Sequence, residues 1–298
     1  MKNAYIFVDI DCEGEGALAT AGEKAGTTIS TSRKGDIMNN KRWIVGALAL
    51  CALLILAACS KKENTEQSSN APTESAAPAQ PTAPIDPATV ATISGTVKFD
   101  GTAPKPSKID MSQDPGCKGT NEAETLVVSG GDLANVFVYV KDGLGSRTFD
   151  TPKDPVVLEQ KGCQYHPHVL GVMTGQTVDI KNVDPTTHNI HPTPKDNREW
   201  NESQPPSSPD IEKTFTREEV MLPVKCNQHP WMKMYVNVVK SPFFAVSAKD
   251  GKYEIKGLPP GDYTIAFVHE KLGEQDQKVT VAPKESKTVD QSFKAAGE

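Results

Sequence analysis

No window of this chain sustains the three-to-four-residue apolar repeat of an amphipathic helix, so its core is expected to be built from strands. Positive charge is not in excess either. The formal net charge is −6, a mildly acidic balance that argues against nucleic acid as a partner. Tryptophan is scarce: the three residues are Trp43, Trp200 and Trp231, too few and too scattered for an aromatic binding platform. Nothing in the pattern suggests a substrate-activating triad or an open coordination position, so the chain is not expected to be an enzyme. Long apolar runs are almost absent as well. The exception, Trp43 to Ala58, is too short for a comfortable membrane span.

That run has a different reading. Met38-Asn39-Asn40-Lys41-Arg42 is a basic start, the run is a hydrophobic segment, and Leu56-Ala57-Ala58-Cys59 closes it with small residues. This order is a secretory signal, and its end resembles the bacterial lipobox. The resemblance implies a signal peptide over residues 38–58 and lipidation of Cys59, with anchoring to a membrane through that lipid. A periplasmic or cell-surface location follows, at the outer membrane if the host is Gram-negative, because Ser60 follows the Cys. Residues 1–37 fit no secretory pattern and are read as an upstream-start artefact. Residues 59–92 are rich in Ser, Thr, Pro, Ala, Glu and Gln. Such a stretch buries too little apolar surface to offset its ordering entropy and is expected to be a disordered tether.

From Ile93 onward the pattern is β throughout. Runs such as Asn135-Val136-Phe137-Val138-Tyr139-Val140 and Tyr235-Val236-Asn237-Val238-Val239 are rich in β-branched and aromatic residues. Asp100-Gly101, Asp142-Gly143, Asp250-Gly251 and Pro260-Gly261 are turn signals between them. The stretch from Asp250 through Leu258-Pro259-Pro260-Gly261 to Ile265 resembles the carboxypeptidase regulatory, transthyretin-like sandwich. Ser94-Gly95-Thr96-Val97 is similar to that family's opening strand, about 150 residues earlier in the chain. The resemblance implies a sandwich made of residues 93–156 plus 241–295, interrupted by a segment of different character over 157–240.

Chemistry concentrates in that middle segment. Cys226-Asn227-Gln228-His229-Pro230-Trp231-Met232 and, upstream, His188-Asn189-Ile190-His191 together hold a thiolate, imidazoles and a thioether. This is the donor set of a type 1 copper centre, a His₂Cys plane with a weak axial Met. Zinc competes on ligand type, but one thiolate and a thioether suit soft copper better. Together with Gly175-Gln176-Thr177-Val178-Asp179-Ile180-Lys181-Asn182, these segments resemble the plastocyanin/amicyanin branch of the cupredoxins. The resemblance implies a Greek-key sandwich over 157–240 and a single mononuclear copper held by His188, Cys226, His229 and Met232. It also implies that Asn189 ties the two ligand segments together. His229, with Pro230 and Trp231, would form a partly exposed apolar patch through which electrons pass. A redox partner, such as a c-type cytochrome or a periplasmic oxidoreductase, is then expected.

Several residues compete for roles. Met234 is the alternative to Met232 as axial ligand, but it is in phase with Val236 and Val238, as a core residue of a strand would be. His191 is expected to lie outside the ligand set. Tyr165-His166-Pro167-His168 is read as a strand start, with a second metal at His166 and His168 as the alternative. A binuclear centre is disfavoured because the ligand loop carries one Cys. In the mature chain expected after cleavage before Cys59, with Cys59 lipidated and Cys226 on the metal, Cys117 and Cys163 are left as the pair that could form a disulfide in an oxidising compartment. The long polar stretch Pro192 to Asp210 is expected to serve as a docking loop or lid. Copper binding and delivery, and a surface-binding module with a structural copper, remain the alternatives to one-electron transfer.

Overall fold

The computed structural model describes residues 84–294. The upstream segment, the signal peptide, Cys59 and most of the tether lie outside the described residues. Within them the protein is all-β, and no helix is long and apolar enough to cross a membrane.

Two sandwiches alternate along the chain. In the outer one, strand Ala91–Asp100 lies beside Lys252–Leu258 and also pairs in parallel with Ser286–Thr288 and Gln291–Lys294. The facing sheet runs Phe244–Val246, Phe137–Asp142, Gly261–His269, Gly273–Val281. Between them sits a core that includes Ile93, Val97, Leu133, Val138, Ile255, Ile265, Phe267 and Phe293, each at most 1% exposed. Alternating burial along Lys252–Leu258 is the two-residue period of a strand with one face in the core. Asp250-Gly251 makes the turn into that strand. Gly251 has φ +70°, and a Cβ there would stand 2.5 Å from the Val97 carbonyl oxygen, so both backbone and space call for glycine.

The inner sandwich has one sheet of Ile211–Thr214, Thr177–Asn182, Val156–Lys161 and Gln164–His166. Its other sheet is Glu202–Gln204, His188–Pro192, Glu219–Lys225, Lys233–Val239 and Val169–Met173. The outer sandwich therefore leaves off near residue 155 and resumes after Val239. Its first strand begins at Ala91, and Ile85 already packs on its core, so order starts inside the stretch expected to be tether.

One segment crosses between the units. Residues 108–122, placed by sequence in the outer sandwich, form a short hairpin, Lys108–Ile109 with Asn121–Glu122, and their Met111 and Cys117 are buried in the inner core. Sequence alternation could not reveal this, because the segment has few apolar residues and takes its place through Cys117. A third apolar cluster of Phe137, Val169 and Val239, flanked by Tyr139 and Phe244, joins the two sandwiches.

Candidate metal centre

Strands His188–Pro192 and Glu219–Lys225 are antiparallel neighbours, with His191 opposite Lys225. The start of the first and the end of the second therefore lie at one end of the sheet. His188 opens the first strand, and the chain leaves the second directly into the loop Cys226–Met232. That loop is closed on itself: Cys226 donates its N–H to the Met232 carbonyl at 3.2 Å, and Met232 donates its own to the His229 carbonyl at 2.9 Å. Asn189 bridges the two segments. Its Oδ1 accepts the Asn227 N–H at 2.7 Å and lies 3.3 Å from Cys226 Sγ, while its Nδ2 donates to Asn201 Oδ1.

The result is a dry cluster. His188, Cys226, His229 and Met232 are each at most 3% exposed. One nitrogen of each imidazole and the Cys226 sulfur lie within 4.8 Å of one another. His188 Nδ1 and His229 Nδ1 are 2.9 Å apart, and Cys226 Sγ is 3.7 Å from the latter.

The outer nitrogens decide how to read that contact. His188 Nε2 is 2.8 Å from Asp184 Oδ2, and His229 Nε2 is 2.8 Å from Asp114 Oδ2. A carboxylate accepts, so each Nε2 carries the ring's proton, and in a neutral imidazole the Nδ1 is then a bare lone pair. Burial pushes His188 below its ordinary pKa despite the pull of Asp184, which keeps that ring neutral near pH 7. The two Nδ1 atoms thus face each other beside a sulfur in a buried cluster. A cation between them satisfies all three donors. Carboxylate–imidazole pairs of this kind orient metal-binding histidines and raise their basicity.

The two carboxylates are themselves well held. Thr186 Oγ1 and the Gly116 N–H donate to Asp114, and with His229 they hold its carboxyl down at about 2. Asp184 accepts the N–H groups of Gly162 and Cys163 at 2.6 and 2.7 Å. Cys163 is joined to Cys117 by a disulfide, and Cys117 Sγ stands 3.7 Å from His229 Nε2. Two further triads, Asp114–Cys117–His229 and Cys163–Asp184–His188, lie on the outer sides of the same imidazoles. Each includes a sulfur of the disulfide, which has no thiolate to offer, so the inner triad is the one equipped for a metal.

Other expected residues fall as follows. His229 is 3% exposed, not partly exposed: Asp114 and the disulfide cover the edge that was expected to face solvent. Pro230 is exposed, and Trp231, half-buried, lies with its ring centroid 5.0 Å from that of His229 and donates its Nε1–H to the Cys163 carbonyl. Met234, the second residue of its strand, pairs with Val224, while Met232 belongs to the loop, and both are buried in the inner core. His191 turns outward, to Asn227 Oδ1 at 3.0 Å and Glu199 Oε1 at 2.7 Å. His166 and His168 do not converge. The first bonds the Lys161 carbonyl, and the second reaches Glu270 of the outer sandwich at 2.5 Å.

Asp114, Asp184, Thr186 and Tyr165 were not singled out from sequence. Asp184 stands four residues before His188, a local signal that could have been used. Asp114 is 115 positions from its imidazole, and only its closeness to Cys117 hinted at the site. Tyr165 is 1% exposed, with its hydroxyl donating to the Asn189 carbonyl at 2.5 Å, and burial together with the neighbouring Cys226 raises its phenol well above the usual range.

No family profile and no curated protein matches the chain. Among solved structures it is similar to the copper-containing nitrite reductase of Thermus scotoductus SA-01, at 19% identity and TM-score 0.28, over 32% of this chain and 26% of that one. It is also similar to a purple cupredoxin from Nitrosopumilus maritimus, at 23% identity and TM-score 0.25, over 28% of this chain and 98% of that one. Amicyanin from Paracoccus versutus aligns at 20% identity and TM-score 0.26, over 34% and 96%. The chain thus spans about a quarter of the reductase and nearly the whole of the two small proteins.

Proposed function

We propose that the inner, cupredoxin-like sandwich holds one copper ion and that the protein is a one-electron carrier rather than an enzyme. The observation that carries this is the approach of His188 Nδ1 and His229 Nδ1 to 2.9 Å, with the Cys226 sulfur 3.7 Å from the latter, in a buried cluster. His188, Cys226 and His229 would hold the ion, with Met232 on the same loop as the thioether. One thiolate with imidazoles and a thioether is a donor set that suits copper. Bound there, copper supplies a one-electron couple.

The chain's own residues do the rest. Asp184 and Asp114 turn both imidazoles inward and hold their outer protons. The self-closed loop and Asn189 fix the sulfur between two strands, so little has to move when the charge of the site changes. Burial of all four side chains excludes water. Trp231, in contact with the His229 ring and half-buried, is the route by which electrons would reach a partner protein such as a c-type cytochrome or a periplasmic oxidoreductase. The outer, transthyretin-like sandwich and the tether would hold this unit off a membrane to which Cys59 is anchored by lipid, in the periplasm or at the cell surface.

Covering of His229 by Asp114 favours a second reading, in which the protein keeps and delivers copper. Metal analysis after loading and desalting tests the shared premise. One copper per chain is expected in the wild type and a loss of tight binding in Cys226→Ser. Equal retention by that variant would refute the assignment. Electron self-exchange then separates the readings: fast exchange supports the carrier, and slow exchange with ready transfer to a Cu(I) chelator supports delivery.

A further inference from the structure

The two carboxylates behind the imidazoles are not independent. Asp184 is held by the backbone N–H of Cys163, one end of the disulfide. Asp114 lies three residues before Cys117, the other end, and Cys117 donates its N–H to the Asp114 carbonyl at 3.0 Å. Thr186, between Asp184 and His188 in sequence, donates its hydroxyl to Asp114. The segment of residues 108–122, a strap across the inner sandwich, also packs closely on the turn that carries Thr186, since a Cβ on Gly116 would stand 2.7 Å from Thr186 Cβ. A continuous circuit therefore runs from His188 through Asp184, Cys163, Cys117 and Asp114 to His229. The disulfide is its one covalent cross-link between the strap and the inner sandwich.

We propose that Asp114 and Asp184 are a coupled pair of positioning residues, and that the Cys117–Cys163 disulfide between them sets how firmly the centre retains its metal. The proposal rests on the copper reading of the inner triad. With the disulfide closed, the strap keeps Asp114 on His229 Nε2 and seals the ligand's outer edge. With it open, the strap is left with its hairpin, Met111, the Thr186 contact and the bonds that join Asn121 to the Gly162 carbonyl and Gln164 to the Glu122 carbonyl, so the Asp114 end loosens, His229 is free to turn, and the metal leaves sooner. Opening is ordinary thiol–disulfide exchange with a dithiol. One thiolate of the reagent attacks a protein sulfur and forms a mixed disulfide. Its second thiolate then displaces the protein thiolate, leaving a cyclic disulfide and two protein thiols after uptake of the two protons the reagent gave up. Cys117, 8% exposed against 0% for Cys163, is the more accessible point of attack.

The test is the rate of Cu(I) transfer from the loaded protein to bicinchoninate. It is measured on the wild type, on Asp114→Ala, on Asp114→Asn, and on wild type reduced anaerobically with dithiothreitol and desalted. Cys117→Ser/Cys163→Ser is added if it folds. Removing the carboxylate, or opening the disulfide, is expected to speed transfer about 10- to 100-fold, the usual effect of losing a partner of a metal-bound His. Asp114→Asn keeps an oxygen acceptor for the Nε2–H and should restore most of the wild-type rate. Opening the disulfide in Asp114→Ala should add little, because both act on one contact. A merely structural role would lower the unfolding midpoint without this pattern of rescue and non-additivity. Copper held in all forms with rates within twofold of wild type would overturn the coupling alone. A wild type that takes up no copper would overturn the copper reading itself.

Discussion

At the scale of single residues, the molecule places its histidines in contrasting situations. His188 and His229 are turned by carboxylates into paired donors, whereas His269 has no such partner. It is 2% exposed, its Nδ1 accepts the Lys271 N–H, and its Nε2 has no hydrogen-bond partner. Burial pushes its pKa down to about 4, with His168 pushing the same way and Glu270 opposing. An imidazole whose folded value lies below its unfolded one binds more protons when unfolded. Its contribution is therefore complete above about pH 6.5 and is lost as pH falls toward 4, on the order of 3 kcal/mol across that window. Urea unfolding of wild type and His269→Leu between pH 4 and 8 checks this. The two curves should diverge from each other below pH 6.5, the wild type losing more, and parallel curves would contradict the assignment. The residues that converge, His188, Cys226 and His229, could be picked out in the sequence, because donor type and spacing within Cys226–Met232 are local properties. Their carboxylate partners were not, since Asp114 reaches His229 only through tertiary packing.

At the scale of elements, the polar stretch from Pro192 to Asp210 was expected to act as a docking loop or lid. Much of it is anchored to the inner sandwich. Glu219, 8% exposed, accepts the N–H groups of Lys195, Asp196 and Asn197 and a side-chain bond from Asn197. Burial alone would raise its carboxyl, but these donors outweigh it and hold the pKa below the ordinary value. Farther along, Glu202–Gln204 pairs with the strand that carries His188. Composition did not reveal this anchoring, because the carboxylate that gathers the amides of the stretch lies beyond its end. Glu219→Ala leaves those amides without their acceptor, at a cost of about 2–4 kcal/mol. Limited proteolysis should then cut between residues 193 and 201 much faster than in wild type, while unchanged cleavage would show that Glu219 does not hold the loop.

At the scale of the whole molecule, the all-β class was readable. Alternating apolar residues and Asp-Gly turns declare strands wherever one face is buried. The packing between sandwiches had no such signature. Gly171 shows why. A Cβ there would stand 2.5 Å from the Phe244 ring, and Phe137 is almost as close, so the two units meet ring against backbone at a residue that carries no side-chain signal. His168 and Glu270, at most 8% exposed, add a bonded pair across the same junction. Gly171→Val is expected to push the units apart and turn one cooperative thermal transition into two, as followed by calorimetry. A single unshifted transition would mean the junction yields without cost. The proposal that His188, Cys226 and His229 form a type 1 copper site is the one on which the rest of the account depends. Visible absorption with electron paramagnetic resonance on the purified protein after addition of Cu(II) tests it most directly. The account predicts an intense thiolate-to-copper band with a narrow parallel hyperfine splitting, and a colourless protein or an ordinary tetragonal copper signal would contradict it.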